Sequence, residues 1–221
     1  MTPERITAQS WQTKPSDRFI LKWIKLHLSA PITVRLVHIK WLKPWMITLC
    51  SMVMGVSAGL FFALGWGFMA GMTAGLSQIL DGIDGQFARL TGTQCRAGAF
   101  LDSVLDRYSD GALVIGLTFF NLRMEFPLWL LCILGALALM GSGLVSYSSA
   151  RAESLGIQLG QPTLVSKGTR TSVMAMSGIL SSVFPIAPFI ALCYLVLHTN
   201  LVIIRRIARV YREYAQVSQE T

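Results

Sequence analysis

Residues 81–106 read DGIDGQFARLTGTQCRAGAFLDSVLD, and this stretch decides the fold. Its four aspartates, Asp81, Asp84, Asp102 and Asp106, lie inside or against apolar runs. An unpaired charge close to lipid is energetically expensive, so a carboxylate cluster in such a setting requires a cation to neutralise it. We therefore expect a cation-binding site where two long apolar helices meet.

The composition on either side of this stretch is typical of an integral membrane protein. Of the 221 residues, 53% are hydrophobic and only 14% are charged, against about a quarter in soluble proteins. We predict an all-α polytopic membrane protein. Its parts are a polar N-terminal arm with a juxtamembrane helix (residues 1–45), a six-helix membrane domain (46–210) and a cytoplasmic tail (211–221). The first nineteen residues are polar, so no cleavable signal peptide is expected.

Apolar runs predict six transmembrane helices. The second and third are long enough to cross a hydrocarbon core of ~30 Å and to extend beyond it on one side. The fifth is short and ends at Phe184-Pro185. The predicted spans are residues 46–65, 68–89, 97–120, 127–146, 172–183 and 186–204.

Residues 17–40 mix basic and apolar residues every few positions, a pattern that does not fit a span. The pattern favours an amphipathic helix in the membrane interface, broken at Ala30-Pro31. The alternative is a soluble helix that packs on a partner.

The basic residues predict the orientation. With six spans, all 19 lysine and arginine residues except Arg123 lie on one side of the membrane. The positive-inside rule makes that side cytoplasmic. We therefore expect a multi-pass protein of the cell (inner or plasma) membrane, with the aspartates and both termini facing the cytoplasm. The net charge of +8 reflects this topology and attraction to anionic headgroups, so no nucleic-acid partner is expected.

Helical geometry groups the aspartates in pairs. At ~100° per residue, Asp84 lies about 60° from Asp81, and Asp106 lies about 40° from Asp102, one turn away. Each helix therefore presents two carboxylates on one face. Four carboxylate groups offer hard oxygen ligands, which suit Mg²⁺ or Mn²⁺ rather than zinc.

The fixed residues of this stretch follow the pattern D-x-x-D-G-x-x-A-R-x8-G-x3-D-x3-D. This resembles the signature of the CDP-alcohol phosphotransferases (CDP-alcohol phosphatidyltransferases), and every fixed position matches. The resemblance implies that the four aspartates bind Mg²⁺ or Mn²⁺, with two ions expected, and that Asp106 is also the general base. The residues implied to bind the CDP-alcohol are Asp81, Gly85, Ala88, Arg89 and Gly98.

The resemblance also implies the reaction. Members of this family displace CMP from a CDP-linked alcohol, usually CDP-diacylglycerol, when the hydroxyl of a second alcohol attacks the β-phosphorus. We therefore expect a metal-dependent transferase of phospholipid biosynthesis. Its partners would be the CDP-alcohol, a polar alcohol acceptor, membrane lipids and a second copy of the chain in a homodimer.

Two further stretches resemble the branch of the family that uses inositol phosphate. They are LDRYSDGAL (residues 105–113) and SYSSARAESLGI (residues 146–157). This branch contains phosphatidylinositol-phosphate synthases and di-inositol-phosphate-phosphate synthases, and it binds the acceptor's phosphate in a basic pocket beyond the fourth span. Here that pocket would be formed by Arg151, Lys167 and Arg170, unless these residues only follow the positive-inside rule.

Two departures from the family pattern leave the substrates open. Ser149 stands where phosphatidylinositol-phosphate synthases often carry a lysine, and Trp45 follows Pro44 where the family commonly has asparagine. The alternatives are a phosphatidylglycerol-phosphate synthase, a transferase that uses a soluble CDP-alcohol such as CDP-inositol, and an ion-coupled transporter. A transporter would be expected to have ionisable groups at mid-membrane and two matching halves, and the sequence shows no internal repeat.

Overall fold

The computed structural model describes residue 13 and residues 19–159 and 167–214, and almost all of these are helical. The rest of the polar arm, residues 160–166 and the end of the tail lie outside the described residues. The helices are α1 (Phe19–Ile24), a π-helical segment (Lys25–Ser29), α2 (Ala30–Leu36), α3 (Pro44–Leu64), α4 (Gly67–Leu90), α5 (Arg96–Asn121), α6 (Leu128–Ser154), α7 (Lys167–Leu180) and α8 (Ala187–Tyr214).

The all-α prediction is confirmed, and a helix occupies each predicted span. Two helices continue well past the predicted ends: α6 reaches Ser154 instead of residue 146, and α8 reaches Tyr214 instead of residue 204. The predicted ends followed hydrophobicity, whereas the helical hydrogen bonds continue through the polar residues that follow. The fifth helix, α7, begins five residues earlier than predicted and ends three residues earlier.

Three described helices are long and apolar enough to cross a membrane. They are Pro44–Leu64, Leu128–Ser154 and Ala187–Arg212. The helices α4 and α5 have 24 and 26 residues but carry the aspartates. The helix α7 has 14 residues, or about 21 Å at 1.5 Å per residue. The chain is thus a membrane protein with three clear candidate spans.

The N-terminal helical segment has no break at Ala30-Pro31, and that part of the prediction was wrong. Proline lacks an N–H and its ring clashes with the carbonyl four residues earlier, which usually ends a helix. Here the π-helical segment precedes the proline, and Ala30 N–H donates to the Lys25 carbonyl, five residues back. The wider turn lets the chain continue directly into α2.

One face of this N-terminal segment is buried against α4. The Ser29 hydroxyl donates to the Ile79 carbonyl (3.0 Å), and the Thr33 hydroxyl donates to Gln86 Oε1 (2.8 Å). Gln86 Nε2 in turn donates to the Lys25 carbonyl (2.9 Å). The opposite face exposes apolar side chains, namely Trp23, Leu28, Ile32 and Val34. The segment is therefore fixed to the helix that carries the first two aspartates, and its place in the membrane interface stays a prediction.

The helix α3 packs against both α4 and α5 and positions them around the site. The approach between α3 and α5 depends on glycine. A Cβ at Gly59 would lie 2.3 Å from the Ala112 carbonyl oxygen, and one at Gly116 would lie 2.0 Å from the Gly59 carbonyl oxygen. Small residues permit this backbone contact between membrane helices. The helix α7 reaches α4 in the same way, with Gly71 against the Ala175 carbonyl.

Candidate active site

The carboxylates of α4 and α5 meet at one place. Asp81, Asp102 and Asp106 each offer an oxygen, and these three atoms lie within 4.8 Å of one another. All three residues are partly buried. Like charges this close repel strongly, so the group requires a cation. The helical pairing expected from the sequence therefore yields a compact set of oxygen ligands.

Lys167, the first residue of α7, lies against this group. Its Nζ donates to Asp81 Oδ1 at 2.6 Å and also to Asp106 Oδ1. Both acceptors are carboxylates, and their negative charges stabilise the Lys167 ammonium. The ammonium thus remains charged and joins the carboxylate pair from α4 to that from α5.

Asp84 is the most buried of the four aspartates, with 6% of its surface exposed. Its Oδ2 atom has no hydrogen-bond partner among the described residues. An unsatisfied buried carboxylate oxygen is costly, and its presence is typical of a site that binds a ligand.

Asp84 also lines a cavity of about 410 Å³ beside the aspartate group. The cavity lies between the start of α3, the end of α4 and the start of α5. Four of the residues predicted to bind the CDP-alcohol line it: Gly85, Ala88, Arg89 and Gly98. The remaining lining residues are Lys43, Pro44, Trp45, Thr48, Thr93, Gln94, Cys95, Ala99 and Asp102.

Local geometry at the cavity explains the small residues of the pattern. A Cβ at Gly85 would lie 3.3 Å from Arg89 Nη1, so Arg89 folds back along α4 over this glycine. Cys95 is the N-cap of α5, and its sulfur accepts a hydrogen bond from Gly98 N–H (3.3 Å). Because these two glycines have no side chains, backbone atoms form this part of the cavity wall. A flat or extended ligand can therefore lie close to the backbone.

The three residues predicted to bind the acceptor's phosphate lie in different environments. Arg151 is exposed near the end of α6, whereas Lys167 contacts the aspartates. Arg170 is 2% exposed and its Nη2 donates to Asp110 Oδ2 at 2.6 Å. This buried ion pair joins α5 to α7 close to the site.

Sequence reasoning missed Arg206 on α8. Its Nη1 donates to the hydroxyls of Ser148 (2.6 Å) and Ser149 (3.0 Å) on α6. A cation from α8 therefore lies beside Ser149, the position at which the resemblance to phosphatidylinositol-phosphate synthases led us to expect a lysine. The unexpected serine at position 149 was the sequence signal for a different basic residue here. It could not identify Arg206, which lies 57 residues further along the chain.

Comparisons with known proteins agree with this arrangement. The family model of the CDP-alcohol phosphatidyltransferases matches residues 41–201. The chain is 30% identical over 184 residues to the phosphatidylinositol phosphate synthase of Streptomyces avermitilis, a match covering 76% of this chain and 72% of that protein. It is 34% identical over 135 residues to the bifunctional IPC transferase and DIPP synthase of Thermococcus kodakarensis. That match covers 61% of this chain and only 30% of the larger protein.

Two solved structures of Mycobacterium tuberculosis phosphatidylinositol phosphate synthase share the fold. The structure with CDP-DAG bound aligns with a TM-score of 0.72 at 26% identity, covering 83% of this chain and 94% of that one. The complex with manganese and citrate aligns with a TM-score of 0.73 at 26% identity, covering 83% and 89%. Since the family model covers most of the chain and the signature aspartates converge on one site, this protein belongs to the CDP-alcohol phosphatidyltransferase family.

Proposed function

We propose that this enzyme transfers a phosphatidyl group from CDP-diacylglycerol to a hydroxyl of inositol phosphate and releases CMP. The observation that carries the proposal is the aspartate group beside a cavity of about 410 Å³ lined by the small residues of the signature. The relatives named phosphatidylinositol phosphate synthase, and the CDP-DAG bound to one of them, support the donor and the acceptor.

The residues present fit a divalent cation of the Mg²⁺ or Mn²⁺ type. All the candidate ligands are carboxylate oxygens, which these ions prefer. Asp84 Oδ2, buried and unsatisfied, is a further ligand beside the three-residue group. When bound, the ions would polarise the diphosphate and offset charge in the transition state. The manganese complex of the mycobacterial relative supports this assignment, and we propose two ions held by the four aspartates.

The chain's own residues position the substrates and move the proton. We assign Asp106 as the general base that accepts the proton of the acceptor hydroxyl. The hydroxyl oxygen forms a bond to the β-phosphorus, and the bond from that phosphorus to the oxygen of CMP breaks, so CMP leaves with the electron pair. Gly85, Ala88 and Gly98 leave space for the nucleotide, and Arg89 balances the charge of its phosphates.

For the acceptor, we retain Arg151, Lys167 and Arg170 as the proposed phosphate-binding residues. Arginine and lysine near one site favour a phosphorylated acceptor because charge-assisted hydrogen bonds to phosphate are strong. Arg206 adds a further cation near Ser149, and its guanidinium interacts electrostatically with that of Arg170. Glycerol phosphate as acceptor, or a soluble CDP-alcohol such as CDP-inositol as donor, is the second candidate.

We propose that α3 to α8 form six membrane spans, with the aspartates and both termini on the cytoplasmic side. The lone basic residue assigned to the opposite side, Arg123, lies between α5 and α6, and its Nη2 donates to the Ala63 carbonyl at the end of α3. The ends of α3 and α5 therefore lie together, far along the helices from the aspartates. The homodimer remains a prediction.

The test is CMP release by the purified protein in detergent, with Mg²⁺ or Mn²⁺, CDP-diacylglycerol and a set of acceptors. We expect release that requires both the metal and an acceptor, with inositol phosphate preferred over glycerol phosphate and inositol. Asp84→Ala removes a buried ligand and should abolish release, whereas Glu125→Gln, an exposed change between α5 and α6, should leave it intact. Release at the wild-type rate from Asp84→Ala would contradict the proposal.

A further inference from the structure

Lys25 is a buried cation that the signature does not contain. Only 8% of its surface is exposed, and lysine is rarely buried to this degree. It begins the π-helical segment Lys25–Ser29, the single such segment within the described residues. Segments of this kind are rare and frequently lie at functional sites. Both features call for an explanation beyond membrane attachment.

The π-helical segment packs over Gly82, next to the first aspartate of the signature. A Cβ at Gly82 would lie 2.5 Å from Ser29 Oγ and 3.3 Å from Lys25 Cγ. The absence of a side chain at Gly82 thus makes room for this segment. Gly82 immediately follows Asp81, and the charge of Lys25 acts on the Asp81 carboxylate. A residue from the N-terminal arm therefore belongs to the electrostatic surroundings of the site.

Three hydrogen bonds dock the N-terminal helical segment on α4 without using the ammonium group at position 25. They use the Lys25 carbonyl, which accepts from Gln86 Nε2, and the hydroxyls of Ser29 and Thr33. An unbranched neutral side chain at position 25 leaves these three bonds in place and still offers a Cγ over Gly82. The role of the charge can thus be separated by substitution from the role of the packing.

We propose that Lys25 is a positioning residue of the aspartate group, which acts through Asp81 and weakens the affinity of the group for a divalent cation. Asp81 accepts a hydrogen bond from Lys167, and the charge of Lys25 also acts on it, so both ammonium groups repel an incoming cation. Mg²⁺ is typically held by one or two carboxylates together with substrate phosphates. A fixed positive charge beside the carboxylates weakens their hold on a metal ion. The ion is then retained firmly only when the diphosphate of the substrate supplies further ligands. This inference rests on the proposed metal site.

The test is a Mn²⁺ titration of the purified full chain in detergent, without nucleotide, followed by electron paramagnetic resonance. Lys25→Met, which keeps the length and packing of the side chain, should bind Mn²⁺ about tenfold more tightly. Lys25→Arg keeps the charge and should match the wild type. Lys22→Met removes an exposed charge from α1, just before the π-helical segment. Its Mn²⁺ affinity should also equal that of the wild type. Lys25→Gln provides a second neutral variant if the methionine variant does not fold.

The outcomes separate this inference from the proposed function. Unchanged or weaker Mn²⁺ binding in a folded neutral variant would overturn the role of Lys25 alone and leave a structural lysine. If Lys22→Met bound Mn²⁺ as tightly as Lys25→Met, the role of Lys25 would also be overturned. The tighter binding would then follow from the lower net charge of the protein and not from the position of Lys25. A wild-type protein that binds no Mn²⁺ would overturn the metal site and the role of Lys25 together.

Discussion

At the scale of single residues, the site consists of carboxylates whose charges are balanced by lysines and arginines from other helices. Lys167 bonds to Asp81 and Asp106, and Arg170 bonds to Asp110. A buried charge without such a partner would be strongly destabilising. These pairs account for three of the five aspartates on the two neighbouring helices, whereas Asp84 keeps an unsatisfied oxygen.

The general base can be separated from the metal ligands. Asp106→Asn keeps the size of the side chain but cannot accept the proton of the acceptor hydroxyl. We expect the turnover number to fall by roughly 10²- to 10⁴-fold, the usual contribution of general base catalysis. CDP-diacylglycerol binding, measured in the presence of Mn²⁺, should weaken much less than it does in Asp84→Ala. Equal loss of binding in the two variants would mean that Asp106 acts only as a ligand.

The acceptor site can be tested at Arg151, which is exposed and forms no ion pair with another described residue. If Arg151 binds the acceptor's phosphate, Arg151→Gln removes a contact of about 1.5–3 kcal/mol. The KM for inositol phosphate should then rise roughly ten- to a hundred-fold, while the KM for CDP-diacylglycerol changes little. Arg212→Gln, at the exposed end of α8, is the control. Identical acceptor kinetics in both variants would assign Arg151 to orientation alone.

At the scale of elements, the N-terminal segment is attached to α4, the helix that carries the first two aspartates. Its π-helical turn accommodates Pro31, and its buried hydroxyls bond to α4 on either side of the signature's first aspartate. The exposed apolar face of the same segment suits the membrane interface. One short element thus contacts α4 on one side and is suited to lipid on the other.

A pair of glycines on α4 tests this docking. Gly82→Ala introduces a Cβ 2.5 Å from Ser29 Oγ, whereas Gly75→Ala introduces one with nothing within 4 Å. Overpacking of this kind typically costs about 1–3 kcal/mol. Gly82→Ala should therefore lower the Tm measured in detergent and make the N-terminal segment more susceptible to protease, while Gly75→Ala should not. Equal Tm values for the two variants would show that the segment can be displaced without loss of stability.

At the scale of the whole molecule, the connections at the two ends of the helices differ in charge. The α4–α5 connection lies beside Arg89, Arg96 and the cavity, whereas the α5–α6 connection contains Arg123 and Glu125. The proposed six spans would place these two connections on opposite sides of the membrane, with the substrate cavity on the cytoplasmic side.

The orientation can be measured with single cysteines. All four native cysteines are free, and the exposed Cys95 lies in the α4–α5 connection. A variant that retains only Cys95 should react with a membrane-impermeant reagent solely from the cytoplasmic side. A variant with the native cysteines replaced and Glu125→Cys added should react solely from outside. Labelling of both positions from one side would contradict the six-span topology. Gly160, a further position suited to this test, lies outside the described residues.

Local patterns were sufficient for the fold class and for the centre of the site. Hydrophobic runs located the long helices, because helical hydrogen bonds form between residues close in sequence and lipid selects apolar side chains. The spacing of Asp81 with Asp84, and of Asp102 with Asp106, placed each pair on one helix face. The convergence of Asp81, Asp102 and Asp106 in the structure agrees with that prediction.

Only the tertiary structure decided which cations serve which carboxylates. Lys167 lies 86 residues from Asp81, and Arg170 lies 60 residues from Asp110. No periodicity links residues so far apart, since their contact depends on how α7 crosses α4 and α5. The docking of Lys25 over Gly82 likewise depends on a π-helical turn that hydrophobicity does not indicate. Sequence determined the helices and the aspartate motif, because these depend on neighbouring residues. Helix packing determined the charge partners, because these depend on distances between helices.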